Sequence, residues 1–208
     1  MRIIAGSCKG RPLLAPKGMD TRPTLDRVKE SLVRIIAGSW KGLPLLAPKV
    51  MDTRSTLDRV KESLFGIIQF QLYGKTVLDL FAGSGNLGLE ALSRGASFAA
   101  FNDMSRDAVK VIRANIEKLG FEQKSVVMNV DFAQAIRSLS ARRFDIVFLD
   151  PPYRAGLMEK VLKELSTAGI LNNGAMVIAE HDAHIAPVDT AALVLYDRRI
   201  YSDTELSF

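Results

Sequence analysis

The chain has 208 residues, one cysteine (Cys8) and a net charge of +5: long enough for one domain with an appendage and for a sizeable core. A single cysteine excludes an internal disulfide, no apolar run approaches the roughly 20 residues of a membrane span, and the opening MRIIAGSCKG lacks the apolar centre of a signal peptide, so a soluble cytoplasmic protein is expected. The charge is uneven, with 13 Lys/Arg and 6 Asp/Glu in residues 1–64 against 15 and 17 in residues 65–208, and a basic module on a near-neutral one points to a polyanion, most simply nucleic acid.

The first 64 residues are a direct repeat. MRIIAGSCKGRPLLAPKGMDTRPTLDRVKESL is followed by VRIIAGSWKGLPLLAPKVMDTRSTLDRVKESL. The copies differ only at Met1/Val33, Cys8/Trp40, Arg11/Leu43, Gly18/Val50 and Pro23/Ser55. Two copies do not make a solenoid. In the second, Arg34–Ala37 reads as a strand, Leu43–Ala47 as another apolar stretch, and a helix comes next. Ser55 or Thr56 can cap that helix, and Leu57, Val60, Leu64, Ile67 and Ile68 give it one apolar stripe to about Leu72. Because the second copy is joined directly to the apolar run that starts at Thr76, residues 33–75 are expected to be the working N-terminal module. Residues 1–32 are then a surplus duplicate, able to dock elsewhere or to swap into a neighbouring chain.

Thr76–Phe81 is a short apolar run that suits a buried strand, and it carries Asp79 within it. Gly83, Ser84 and Gly85 strip bulk from the turn after it. Gly88 falls one helical turn later, where a helix must pack closely on the sheet. The unpaired amides at such a helix start can meet a ligand. Gly83, Gly85 and Gly88 also satisfy G-x-G-x-x-G, with Asp103 twenty residues after Gly83, a pattern shared by nicotinamide, flavin and methyl-transfer enzymes.

Strands and helices then alternate. Leu87–Arg94 is helical, Phe98–Asn102 a strand, Asp107–Leu119 a helix stopped by Gly120, and Ser125–Val130 a strand. A short helix runs from Asp131 to about Leu139, and Phe144–Leu149 is a strand that ends at Asp150-Pro151-Pro152-Tyr153. Leu157–Leu165 is helical, Ala175–Ala179 a strand, and the tail offers a pair near Ala192–Tyr196 and Thr204–Phe208. This alternation predicts an α/β fold, a parallel sheet with helices on both faces.

Ligands of such sheets sit beyond the carboxyl ends of the strands. Asp79, Asp103, Asp131 and Asp150 all fall there; each alone could be a helix cap, but four on successive strands would face one cleft. Pro151 and Pro152 fix the backbone and remove two N–H donors. The Asp150 carboxylate and the carbonyl after it become paired acceptors, and Tyr153 adds a flat ring. Two acceptors and a ring suit the exocyclic amine of a planar base.

LDLFAGSGNLGLEALSRGA, FDIVFLDPPY and the TRPTLDRVKESLF-type segment resemble the RsmD-type family of 16S ribosomal RNA guanine-N2 methyltransferases over residues 33–208. The resemblance implies a class I, Rossmann-like methyltransferase sheet of seven strands with the last antiparallel in residues 76–208, and S-adenosylmethionine as cofactor. By position, Asp79 and the turn of Gly83, Ser84 and Gly85 would hold its methionine part, and Phe81 and Asn86 would also meet the cofactor. Asp103 would hold the ribose hydroxyls, Asp131 and Phe132 would flank the adenine, and Met104 would also meet the cofactor. Asp150, Pro151, Pro152 and Tyr153 would hold the target base. Arg34, Lys41, Arg54 and Arg59 of the N-terminal module would meet RNA, either naked ribosomal RNA or an assembled small subunit. The second copy departs from the family at Leu43, Val50 and Ser55, where the first keeps Arg11, Gly18 and Pro23. A monomer is expected, with a swapped dimer open through the repeat. His181, His184 and one cysteine make no metal site, and the histidines read as surface or loop residues. A DNA adenine-N6 methyltransferase would use the same acceptor pair. A glutamine-N5 methyltransferase typically has Asn at position 150, and a nicotinamide dehydrogenase leaves Asp150–Tyr153 unused. An RNA-binding protein disabled by its duplication is the alternative outside enzymes.

Overall fold

A computed structural model describes residues 3, 5–14, 54–152, 156–184 and 193–208. Within it, α1 (Arg54–Ile67) leads through a 3-10 turn (Gln69–Gln71) to β1 (Thr76–Asp79). Then come α2 (Asn86–Ser93), β2 (Phe98–Asn102), α3 (Arg106–Leu119), β3 (Ser125–Met128), α4 (Phe132–Ser138) and β4 (Phe144–Leu149). The chain continues through α5 (Leu157–Thr167), β5 (Leu171–Asp182), β6 (Arg198–Tyr201) and β7 (Thr204–Ser207). The seven strands form one sheet in the order β3-β2-β1-β4-β5-β7-β6. The first five are parallel; β7 runs antiparallel to both β5 and β6. This is the expected seven-stranded class I fold.

Successive side chains of a strand point to opposite faces, and here both faces are covered. Val77, Phe101, Ile146, Phe148 and Ile178 pack on one side with residues of α1, α2 and α3. Leu78, Leu80, Ala100, Val147 and Leu149 pack on the other with Ile136, Val161 and Leu165 of α4 and α5. The strand order reverses direction at β1 and β4, so the crevice lies beyond the carboxyl ends of those two neighbours.

Residues 3 and 5–14 of the first copy are built into the fold. Ile3, Cys8 and Leu13 are buried in the same core as Val60, Leu64, Phe65 and Ile68 of the second copy. The segment folds on itself, Ile3 N–H donating to the Arg11 carbonyl (3.2 Å) and Gly10 N–H to the Ile3 carbonyl (3.3 Å). It lies along α2 and α3. Ser7 N–H donates to the Ser93 carbonyl (2.9 Å) and Cys8 N–H to Ser93 Oγ (3.1 Å), while the Ser93 hydroxyl donates to the Ala5 carbonyl. A Cβ at Gly6 would stand 1.5 Å from the Ser93 carbonyl oxygen, so no larger residue fits there. Arg11 donates to the Lys118 carbonyl (3.0 Å), and Asn115 Oδ1 accepts from Leu14 N–H (2.6 Å). The helix, by contrast, comes from the second copy. Among the described residues, the docked turn thus comes from the first copy and the helix from the second, and the reading of residues 1–32 as spare fails for residues 3 and 5–14. The physical reason is at Cys8, 4% exposed, and at Arg11. The second copy has Trp40 and Leu43 at those places, one too large for the site and the other unable to donate.

Two further expectations shift. The strand read near Ala192–Tyr196 lies at Arg198–Tyr201, while Val194 and Tyr196 are exposed. Arg198 forms a forked pair with Glu205 (2.6 and 2.7 Å), which sets the β6–β7 register. His181 is not a surface residue. It lies on β5, 9% exposed, its Nε2 2.9 Å from Ser207 Oγ and 3.7 Å from Glu205 Oε1. His184 is exposed. No helix among the described residues is long and apolar enough to cross a membrane.

Candidate active site

The site begins where β1 stops at Asp79. Ala82 N–H donates to the Asn102 carbonyl (2.9 Å), which ties the turn to β2. Gly83 and Gly85 have φ of 55° and 78°, left-handed values that side chains disfavour. Gly85 also precedes α2, so no side chain caps the helix start. One of its open amides, Gly88 N–H, donates instead to Asp79 Oδ2 (3.0 Å). A Cβ at Gly88 would lie 2.3 Å from Phe101 Cε1 of β2, so only glycine lets the helix sit this close to the sheet.

Three of the four strand-end acids converge. Asp103, after β2, accepts from Gly83 N–H (2.8 Å) through Oδ2 and from Ser105 N–H (2.8 Å) through Oδ1. It fixes the glycine turn and the entry to α3 together. Asp150 comes after β4, half-buried, with Pro151 buried and Pro152 exposed. Asp79 is buried. Burial chiefly pushes its carboxyl up to about 7. The Gly88 amide works against that rise, Asp150 and Asp103 add to it, and Lys61 opposes it. An acid poised at the edge of ionisation, among other acids, favours a cationic ligand.

Asp131 stands apart: exposed, it caps α4 by accepting from Gln134 N–H (2.9 Å). Next to it, the rings of Phe132 and Phe81 lie 6.2 Å apart and tilted 39°, two apolar walls beyond the ends of β1 and β3. Met104 is exposed, and Asn129 Nδ2 donates to the carbonyls of Asp103 (2.8 Å) and Met104 (3.0 Å). Ser84 and Asn86 are buried. Tyr153, Arg34 and Lys41 lie outside the described residues, as do the predicted strand and apolar stretch of the second copy. Arg54 and Arg59 lie on α1.

Residues that sequence reading missed stand behind the turn. Lys61 of α1 donates to Asn86 Oδ1 (2.6 Å) and pairs with Glu90 Oε2 (3.3 Å), both charged side chains being 0% exposed. Glu90 Oε1 accepts from Arg94 Nε (2.6 Å) and from Ala5 N–H (2.9 Å). Asn115 Nδ2 donates to the Ser84 carbonyl (3.1 Å) and to the Leu14 carbonyl (3.1 Å). Two signals were present in the sequence: Glu90 interrupts the apolar run LGLEAL, and Lys61 adjoins Val60 on the helix stripe.

The family described as conserved hypothetical protein 95 matches residues 1–32 and, again, residues 33–208. The Escherichia coli ribosomal RNA small subunit methyltransferase D is 37% identical over 182 residues, covering 88% of this chain and 75% of its own. A Bacillus subtilis protein, YlbH, provisionally named an rRNA methyltransferase, is 35% identical over 201 residues, covering 96% of this chain and 92% of its own. Among solved structures, Escherichia coli yhhF superposes with a TM-score of 0.71 at 29% identity, over 100% of this chain and 95% of that one.

Proposed function

The chain belongs to the family described as conserved hypothetical protein 95, and from that premise we propose that it methylates ribosomal RNA of the small subunit, using S-adenosylmethionine, at the exocyclic N2 amine of a guanine. The observation that carries the cofactor assignment is the glycine turn with the Asp103 carboxylate on the Gly83 amide and the buried Asp79 carboxylate on the Gly88 amide. S-adenosylmethionine carries an ammonium group and a sulfonium, and it supplies the methyl group in electrophilic form. Asp79 and the turn would hold its amino-acid end. Asp103 would meet the ribose hydroxyls, and Phe81 and Phe132 would wall the adenine.

The chain's own work is then positioning. A guanine amine is a weak nucleophile because its lone pair is shared with the ring. The Asp150 carboxylate and the Pro151 carbonyl would accept its two N–H bonds, favour the pyramidal nitrogen and aim it along the line of attack. Tyr153 would stack on the base. The base must leave its own stack first, at about a few kcal/mol, so loop or single-stranded RNA suits the site. The basic N-terminal module would meet RNA phosphates. We place the reaction in the cytoplasm, by a monomer, without a metal.

The test is transfer of labelled methyl groups to ribosomal RNA, to assembled subunits and to DNA. Asp150→Ala should abolish transfer while cofactor affinity stays within a few fold. Unchanged turnover would remove Asp150 from the mechanism, and methylation of DNA alone would overturn the substrate.

A further inference from the structure

We propose that Asn115 is a positioning residue for the cofactor, coupling the seating of residues 5–14 to the shape of the glycine turn. The inference rests on the reading of that turn as the S-adenosylmethionine site. Asn115 lies on α3 with no exposed surface. Its Oδ1 accepts from Leu14 N–H (2.6 Å), and its Nδ2 donates to the Leu14 carbonyl (3.1 Å) and to the Ser84 carbonyl (3.1 Å). The Leu14 amide fixes which end of the side chain is the oxygen, and both N–H groups of Nδ2 are then engaged. One buried amide therefore holds the docked first-copy segment and the turn at once.

The turn needs such a hold. Gly83 and Gly85, on either side of Ser84, have left-handed φ and few steric limits of their own. Asp103 grips the Gly83 amide, and the Ala82 carbonyl accepts from Gly85 N–H (2.6 Å), while Ser84 is held through its carbonyl by Asn115. A second route runs beside the first. Ala5 N–H donates to Glu90, Glu90 pairs with Lys61, and Lys61 donates to Asn86 just past Gly85. Ser84 and Asn86 are thus each tied to the first-copy segment, one through a single side chain and the other through a pair. When residues 5–14 leave their place, Asn115 loses both of its bonds to Leu14 and no longer holds the Ser84 carbonyl in one orientation. The turn then spends less time in its ligand-ready form, and apparent affinity falls by that fraction. Coupling is reciprocal, so bound cofactor holds residues 5–14 more firmly.

The measured quantities are S-adenosylmethionine affinity by calorimetry and amide hydrogen exchange, both on the full chain. Asn115→Ala should weaken affinity about tenfold, the scale of a hydrogen bond lost at a buried carbonyl. Ile116→Val thins the buried face of the same helix without removing a bond to the turn, and should leave affinity unchanged. That contrast separates positioning from a general loosening of the core. In the unaltered chain, saturating S-adenosylmethionine should slow exchange of the Ala5 and Leu14 amides about tenfold relative to the amides of β7, which lies towards the other edge of the sheet. An Asn115→Ala chain that binds as the unaltered one does, an Ile116→Val chain that loses as much, or Ala5 and Leu14 amides indifferent to the cofactor would each overturn the proposal. A full chain that binds no S-adenosylmethionine would instead refute the reading of the turn, and this proposal with it.

Discussion

Residues 3 and 5–14 of the first copy and α1 of the second copy both hold α2, but by different means. The first-copy segment uses backbone bonds and small residues. Its Ser7 and Cys8 amides meet Ser93, and Gly6 lies against the Ser93 carbonyl. The second-copy helix uses an apolar stripe, Val60, Leu64 and Phe65, and one buried charge, Lys61 on Glu90. The residues of the close backbone contact, RIIAGS, and TLDRVKESL of the helix are identical in both copies, and beside that contact the copies differ at Cys8/Trp40 and Arg11/Leu43. The buried Cys8 site favours the first copy for the turn half, because a tryptophan there would be overpacked. The helix half is chosen by its short connection to β1. Glu90, bonded to Ala5 and to Lys61, is where the two meet.

Removing that meeting point should have the largest effect. Glu90→Ala leaves Lys61 as a buried charge without its acid and should cost about 3–5 kcal/mol, read by chemical unfolding. A cost under about 1 kcal/mol would show that the two halves hold α2 independently. Cys8→Trp places the second copy's residue in the first copy's site. Overpacking there should cost about 1–3 kcal/mol, and a neutral result would mean that packing does not choose between the copies. Arg11→Leu removes an exposed bond to the Lys118 carbonyl and should cost about 0.5–1 kcal/mol in the same experiment.

Much of the site was legible because its constraints are local. Gly88 was expected at a close helix–sheet approach, and Phe101 sits where its side chain would be. Asp79 and Asp103 were expected at strand ends and stand there, while the bond from Gly83 N–H to Asp103 was not read from the sequence. What escaped depends on pairing across the fold. His181 looked like a loop residue in EHDAH, yet β5–β7 pairing sets it opposite Glu205. Val194 and Tyr196 looked like strand residues, but the Arg198–Glu205 pair places β6 further on. The choice of copy was illegible from connection length alone, because closing a longer loop costs little and a buried Cys8 outweighs it.

The most direct test is a chain lacking residues 15–46, which joins Leu14 to Ala47 and keeps the docked turn, Arg11 and the second-copy helix in one ordinary N-terminal module. Its rate of methyl transfer to ribosomal RNA, measured beside the full chain and a chain lacking residues 1–32, should equal that of the full chain. The chain lacking residues 1–32 must seat Trp40 at the Cys8 site and should lose stability and cofactor affinity. Loss of transfer on removing 15–46, with full activity after removing 1–32, would contradict the account and return the working role to the second copy.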